Sequence, residues 1–153
     1  MKKTFHIDTY GCQMNVADSE LVESILLNQG YTKSSSVNVA DVIFVNTCAI
    51  REHAEEKVHS QLGRYDLIKK EKPDVIIGVL GCMAQSLKDD LLENKPYVDI
   101  ILGPDSYKRL PDLLNRNEKD NTMDILFVAS KLADINSYVS IVKNSGLNPV
   151  IID

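Results

Sequence analysis

The 153-residue sequence predicts an α/β fold, a mainly parallel, doubly wound sheet with helices on both faces, and three observations carry that expectation. Short continuous apolar runs, the pattern of strands covered on both sides, alternate with longer stretches whose apolar residues recur at steps of three and four. Strand and helix alternate four times in order, and parallel neighbours need such crossovers, which are almost always right-handed. At 44% hydrophobic and 25% charged residues, the composition is that of a globular chain long enough for one core.

The first strand is expected over Thr4 to Tyr10, closed by Gly11 and Cys12 and a loop. Asp18 and Ser19 then precede a helical pattern with Leu21, Val22, Ile25 and Leu26 on one side, ending at Gly30, a natural C-cap. After the polar stretch Thr32 to Asn38, Val42 to Val45 reads as a strand buried on both faces and stops at Asn46-Thr47-Cys48. A long helix follows from about Arg51 to Lys70, with Ala54, Val58, Leu62, Tyr65 and Ile68 on one side, and Pro73 marks its end. Val75 to Leu80 is a third strand, stopping at Gly81-Cys82, and Gln85 to Glu93 fits a short helix. Val98 to Leu102 is the fourth strand, and Gly103-Pro104 turns the chain into a helix through Leu113 and Leu114.

Asn115 to Thr122 is polar and charged without apolar periodicity, which reads as a linker. Beyond it, Ile125 to Val128 is a strand, Leu132 to Asn144 a helix and Pro149 to Ile152 a strand start. The expected organisation is therefore a main domain over residues 1–117, a linker over 118–122 and a strand-helix-strand extension over 123–153. The extension holds no Cys or His and should add burial without adding chemistry.

Seventeen Lys and Arg against 22 Asp and Glu give a formal charge of −5, so binding of nucleic acid mainly through phosphates is not expected of this chain. The basic residues between Arg51 and Lys72 are interleaved with acidic ones, as on a solvated helix face. No window approaches a membrane-spanning run, and the start has neither a signal peptide nor an anchor. With an odd number of cysteines, this predicts a reducing, cytoplasmic setting.

Cys12, Cys48 and Cys82 carry the chemical information, because each falls at the end of a predicted strand, 36 and 34 positions apart. In a parallel sheet such positions line one edge, where ligands bind in open α/β sheets. Three converging thiols form a plausible soft-metal site, while any single one could be packing alone. The close pairs and fourth ligand of a zinc site are missing, and a cubane iron–sulfur cluster held through three irons suits the spacing better. A disulfide would leave one thiol over, and His6, His53 and His59 show no triad spacing that would make a nucleophile of a cysteine. The amides of Asn15, Asn46 and Gln85 are expected either to tune such a site or to cap its loops.

Several segments are recognisable together: Thr9-Tyr-Gly-Cys-Gln-Met-Asn15 with Ala17-Asp-Ser-Glu20, Val45-Asn-Thr-Cys-Ala-Ile-Arg-Glu52 with Ala54-Glu-Glu-Lys-Val58, Gly78-Val-Leu-Gly-Cys-Met-Ala-Gln85, Val98-Asp-Ile-Ile-Leu-Gly-Pro104 and Arg109-Leu-Pro111. Over about residues 3–117 they closely resemble the N-terminal domain of the methylthiotransferases, in the branch that modifies tRNA at N6-isopentenyladenosine. The resemblance implies a two-cluster radical enzyme that places a methylthio group on C2 of that adenosine. It further implies that Cys12, Cys48 and Cys82 bind one auxiliary 4Fe–4S cluster whose open iron carries the inserted sulfur. A barrel domain with a second cluster cleaves S-adenosylmethionine in this family, and a small C-terminal domain helps bind the tRNA.

The departure from the family is large, since no cysteine follows Cys82 and the C-x-x-x-C-x-x-C motif of the barrel is absent. Residues 123–153 are similar instead to a strand-helix-strand piece of actin-like pilus-assembly ATPases. The expectation is thus a flavodoxin-like domain that is the sulfur-donating half of a tRNA methylthiotransferase, cut before the barrel and without radical chemistry of its own. The alternative is a non-catalytic iron–sulfur or docking module of the same fold. Expected partners are tRNA, contacted mostly through the missing domains, and a barrel-bearing chain, with neither membrane nor DNA.

Overall fold

The computed structural model of the chain describes residues 2–48, 52–82, 84, 88–120, 124–127 and 150–151. Its strands are β1 (Thr4–Tyr10), β2 (Thr32–Lys33), β3 (Val42–Thr47), β4 (Ile76–Leu80), β5 (Ile100–Leu102), β6 (Asp124–Phe127) and β7 (Val150–Ile151). Its α-helices are α1 (Gln13–Asn28), α2 (Glu52–Glu71), α3 (Lys88–Asn94) and α4 (Leu110–Asp120), with short 3₁₀ turns at Val37–Val39 and Pro104–Arg109. These strands form one sheet in the order β2-β1-β3-β4-β5-β6-β7, every neighbouring pair parallel. The expected doubly wound α/β class is the one found.

The order carries a functional consequence. From β1 the chain winds outward to β2, then crosses back to place β3 on the other side of β1, so the connections reverse between β1 and β3. The carboxyl ends of strands at such a reversal border the crevice in which open α/β sheets bind ligands. Six paired residues, Phe5↔Val42 through Tyr10↔Thr47, hold that junction in register.

Two apolar layers cover the sheet. One face sets Ile43, Val45, Ile77 and Val79 against Val58, Leu62 and Tyr65 of α2 and Leu91 of α3. The other sets Phe5, Val42, Phe44 and Leu80 against Val22 and Leu26 of α1 and Leu110, Leu113 and Leu114 of α4. Every residue of β3 and β4 is buried, which explains why both read as unbroken apolar runs. Gly78 in β4 makes room for a ring, since a Cβ there would lie 2.5 Å from two ring carbons of the fully buried Phe44.

Three sequence expectations shift. Helix α1 begins at Gln13 rather than after Asp18, because Cys12 and Asn15 close its first turn and Ser19 lies inside it, buried. Helix α4 runs on to Asp120, into the stretch expected to be linker, as Arg116, Glu118 and Lys119 are good helix formers. The two-residue β2 lies in the stretch read only as polar, which carries no apolar alternation to mark a strand. Strands β6 and β7 of the extension join the sheet beside β5, while the expected helix Leu132 to Asn144 and residues 85–87 of the helix expected over Gln85 to Glu93 fall outside the described residues.

Polar clasps hold the amino ends of the strands. Lys69 pairs with the largely buried Asp99, whose Oδ2 also accepts the Ile77 N–H at 2.9 Å; burial raises the Asp99 carboxyl despite these partners. Asp41 accepts from Lys72 Nζ and from the Thr4 N–H, each at 2.8 Å. Burial alone would raise the Asp41 carboxyl, but its donors outweigh it and hold the pKa below the ordinary 3.8.

Two outcomes follow from this packing. Gly78→Ala should drive a methyl into the Phe44 ring and lower the unfolding free energy by about 1–3 kcal/mol, measured by urea denaturation. A carboxylate whose pKa is depressed on folding stabilises above its unfolded value and loses that contribution as pH falls through the folded one. The Asp41 side chain is 37% exposed, so solvent screening keeps its contribution to about 1 kcal/mol. Asp41→Ala should therefore cost about that much at neutral pH, and its difference from the native chain should shrink as the pH is taken below 3.8.

Candidate functional site at the strand ends

Cys12, Cys48 and Cys82 stand just past the carboxyl ends of β1, β3 and β4, three adjacent strands. All are free thiols; Cys12 and Cys82 are exposed and Cys48 is half-buried. The first two flank the topological reversal, and the third is one strand further along.

Cys12 is the residue from which α1 departs. Its carbonyl accepts the N–H groups of Asn15 at 3.0 Å and Val16 at 3.3 Å. The Asn15 and Met14 N–H groups at the helix start hold the Cys12 thiol below its ordinary pKa, outweighing desolvation, and the thiol lies 3.5 Å from Asn15 Oδ1. This is the behaviour expected of a thiol at a helix start, where unpaired N–H groups favour the thiolate. Cys48 packs against the turn that leads into Cys12, since a Cβ built at Gly11 would lie 3.2 Å from the Cys48 Cβ. Among the described residues, no three His, Cys, Asp or Glu side chains are gathered to share a single ion.

Beneath the thiols lies a buried polar network. The Cys12 N–H donates to Asn15 Oδ1 at 3.2 Å, and Asn15 Nδ2 donates to Asn46 Oδ1 at 3.2 Å. Asn46 Nδ2 donates to the Asn15 carbonyl at 3.0 Å and to Ser19 Oγ at 2.9 Å, and Ser19 shares a 2.7 Å hydrogen bond with Thr9 of β1. Asn15, Ser19 and Asn46 are 3%, 9% and 0% exposed, so the bonds among these three are made out of water, where a missing partner costs most.

Two glycines let the loops close on this network. Gly11 has φ +137°, and a Cβ there would lie 2.3 Å from Asn15 Oδ1 and 3.2 Å from the Cys48 Cβ. Gly81 has φ +94°, and a Cβ would lie 2.6 Å from both Asn46 Oδ1 and the Thr47 carbonyl. Neither turn tolerates a side chain, by conformation and by space. Tyr107, 2% exposed, donates its hydroxyl to Asp18 Oδ2 of α1 at 3.3 Å, and burial, reinforced by Asp18, raises its pKa. Beside Cys48, the buried Thr47 hydroxyl has no hydrogen-bond partner among the described residues.

Of the amides expected around the thiols, Asn15 and Asn46 occupy the network and Gln85 lies outside the described residues. Sequence reasoning missed Ser19, Thr9 and Tyr107. Asn15 and Ser19 stand four apart, on one face of a helix, and that spacing would have signalled the pair had the helix start been placed at Gln13.

The model of a family described as "Uncharacterized protein family UPF0004" matches residues 4–103. The chain is 44% identical over 137 residues to a tRNA-2-methylthio-N(6)-dimethylallyladenosine synthase of Chloroherpeton thalassium, covering 88% of this chain and 30% of the relative. It is 50% identical over 112 residues to the enzyme of the same name from Amoebophilus asiaticus, covering 73% and 23%. A third, from Bacteroides fragilis strain YCH46, is 50% identical over 113 residues, covering 74% and 24%. The chain therefore spans less than a third of the length of each of these curated relatives. The longest of these alignments exceeds residues 3–117 and takes in part of the extension.

The site's geometry predicts the effect of crowding its first turn. Gly11→Ala should displace Asn15 and destabilise the chain by about 1–3 kcal/mol in urea denaturation, with faster hydrogen exchange at the Cys12 amide.

Proposed function

The chain belongs to the UPF0004 family, the N-terminal domain of MiaB-type methylthiotransferases, and from that premise we propose that it is the sulfur-supplying part of an enzyme that methylthiolates an adenosine of tRNA. The observation that carries this reading is the arrangement of Cys12, Cys48 and Cys82 on three adjacent strand ends beside the topological reversal.

The donor set fits a 4Fe–4S cluster held by three residues. Thiolates are the ligands iron–sulfur clusters take, and N–H groups already favour the thiolate of Cys12. Neighbouring strands lie about 4.8 Å apart, so the ends of β1 and β4, with β3 between them, are about two such spacings apart, and a group reaching all three turns has to be larger than one ion. In that role all three cysteines are ligands, and the N–H groups of the Cys12 turn orient sulfur. When bound, such a cluster supplies an iron free of protein ligands, at which a sulfur atom can be held for transfer.

Recognition of tRNA and cleavage of S-adenosylmethionine fall, on this reading, to the parts of the relatives that this chain does not span or to a barrel-bearing partner. A net charge of −5 agrees with that division, since this chain offers no basic excess for phosphate binding.

Anaerobic reconstitution with ferrous iron and sulfide tests the proposal. The full chain should take up iron and sulfide in equal amounts with visible charge-transfer absorbance. Cys12→Ala, Cys48→Ala and Cys82→Ala should each lower iron retention by at least roughly tenfold. Uptake indifferent to Cys82→Ala would sink the three-thiolate site and leave a docking module of the same fold.

A further inference from the structure

The three cysteine-bearing turns meet at one side chain, and it is not a cysteine. Asn46 projects from β3 two residues before Cys48, fully buried. Its Nδ2 donates to the Asn15 carbonyl and to Ser19, and its Oδ1 accepts from Asn15 Nδ2, the same Asn15 whose Oδ1 holds the Cys12 N–H. The opposite turn closes on the same oxygen, since a Cβ at Gly81 would lie 2.6 Å from Asn46 Oδ1. One planar amide thus ties the Cys12 turn by hydrogen bonds, the Cys82 turn by close packing and the Cys48 turn through its own backbone.

We propose that Asn46 is the positioning residue that sets the three thiols against one another, an inference that rests on the cluster-holding reading above. The residue type follows from the partners. Two donated bonds and one accepted bond on a short stem are what a carboxamide makes, and Asp would lose both donors while burying a charge. A longer Gln would push its oxygen toward Gly81, where even a Cβ would lie 2.6 Å from the present Asn46 Oδ1. Ordinary core packing does not account for this choice, because Val42 and Phe44 fill the same face of β3 with apolar groups.

The test compares Asn46→Ala with Ile77→Val, a core substitution in the opposite apolar layer that touches no thiol turn. In the iron-free chain, hydrogen exchange at Cys12 and at residues 81–82 should accelerate severalfold in Asn46→Ala and stay near native in Ile77→Val. In the reconstituted chain, Asn46→Ala should release iron to a chelator about 10- to 100-fold more readily, with a changed electron paramagnetic resonance spectrum of the reduced cluster, and Ile77→Val should not. Equal effects of the two substitutions, or none from Asn46→Ala, would overturn the proposal. Should Asn46→Ala not fold by circular dichroism, Asn46→Asp is read in the same way. Loss of the fold in both overturns the positioning role in favour of a purely structural one. A native chain that takes up no cluster sinks the functional reading instead, and the exchange comparison still decides the role of Asn46.

Discussion

The register between β1 and β3 is the constraint from which the site follows. After β2 the chain could have added its next strand on the outer side; instead it returns and pairs Val42 through Thr47 with Phe5 through Tyr10. Because the pairing is parallel, both strands end at the same level, and Gly11-Cys12 and Cys48 emerge side by side. A one-residue slip would turn Phe44 out of its layer and Asn46 out of the network at once, so the apolar core and the polar site enforce the same register.

This explains why so polar a cluster survives inside an apolar domain. Asn15, Ser19 and Asn46 lose their water on folding, which is unfavourable unless each donor and acceptor is matched. Here they satisfy one another and the ends of the chain segments they join. Such a network stabilises less through each bond than through the cost of breaking any one of them, and it restricts the turns to one arrangement. The exposed thiols can then stay accessible, because the order beneath them is supplied by residues that are not.

How much of this the sequence discloses depends on the range of the interaction. Strands β3 and β4 are legible because burial on both faces leaves continuous apolar runs, and the thiols are legible because topology repeats their position at each strand end. The start of α1 is not, since Asp18 and Ser19 look like a cap and only the tertiary contact of Ser19 with Asn46 shows them to be inside the helix. Strand β2 escapes notice because two residues carry no period and form a strand only by pairing with Thr4 and Phe5. Helix α4 runs past the apolar residues that predicted it, through Arg116, Glu118 and Lys119, which are good helix formers.

The sheet order also fixes a chronology. As the chain leaves the ribosome, β1 must wait for some forty residues before its partner β3 exists, and the meeting of the first two thiols cannot precede that pairing. The third thiol arrives only after α2 has been made and β4 has docked on β3. The edge that carries all three thiols is therefore complete only once residues 12–82 have been made and their three strands have paired.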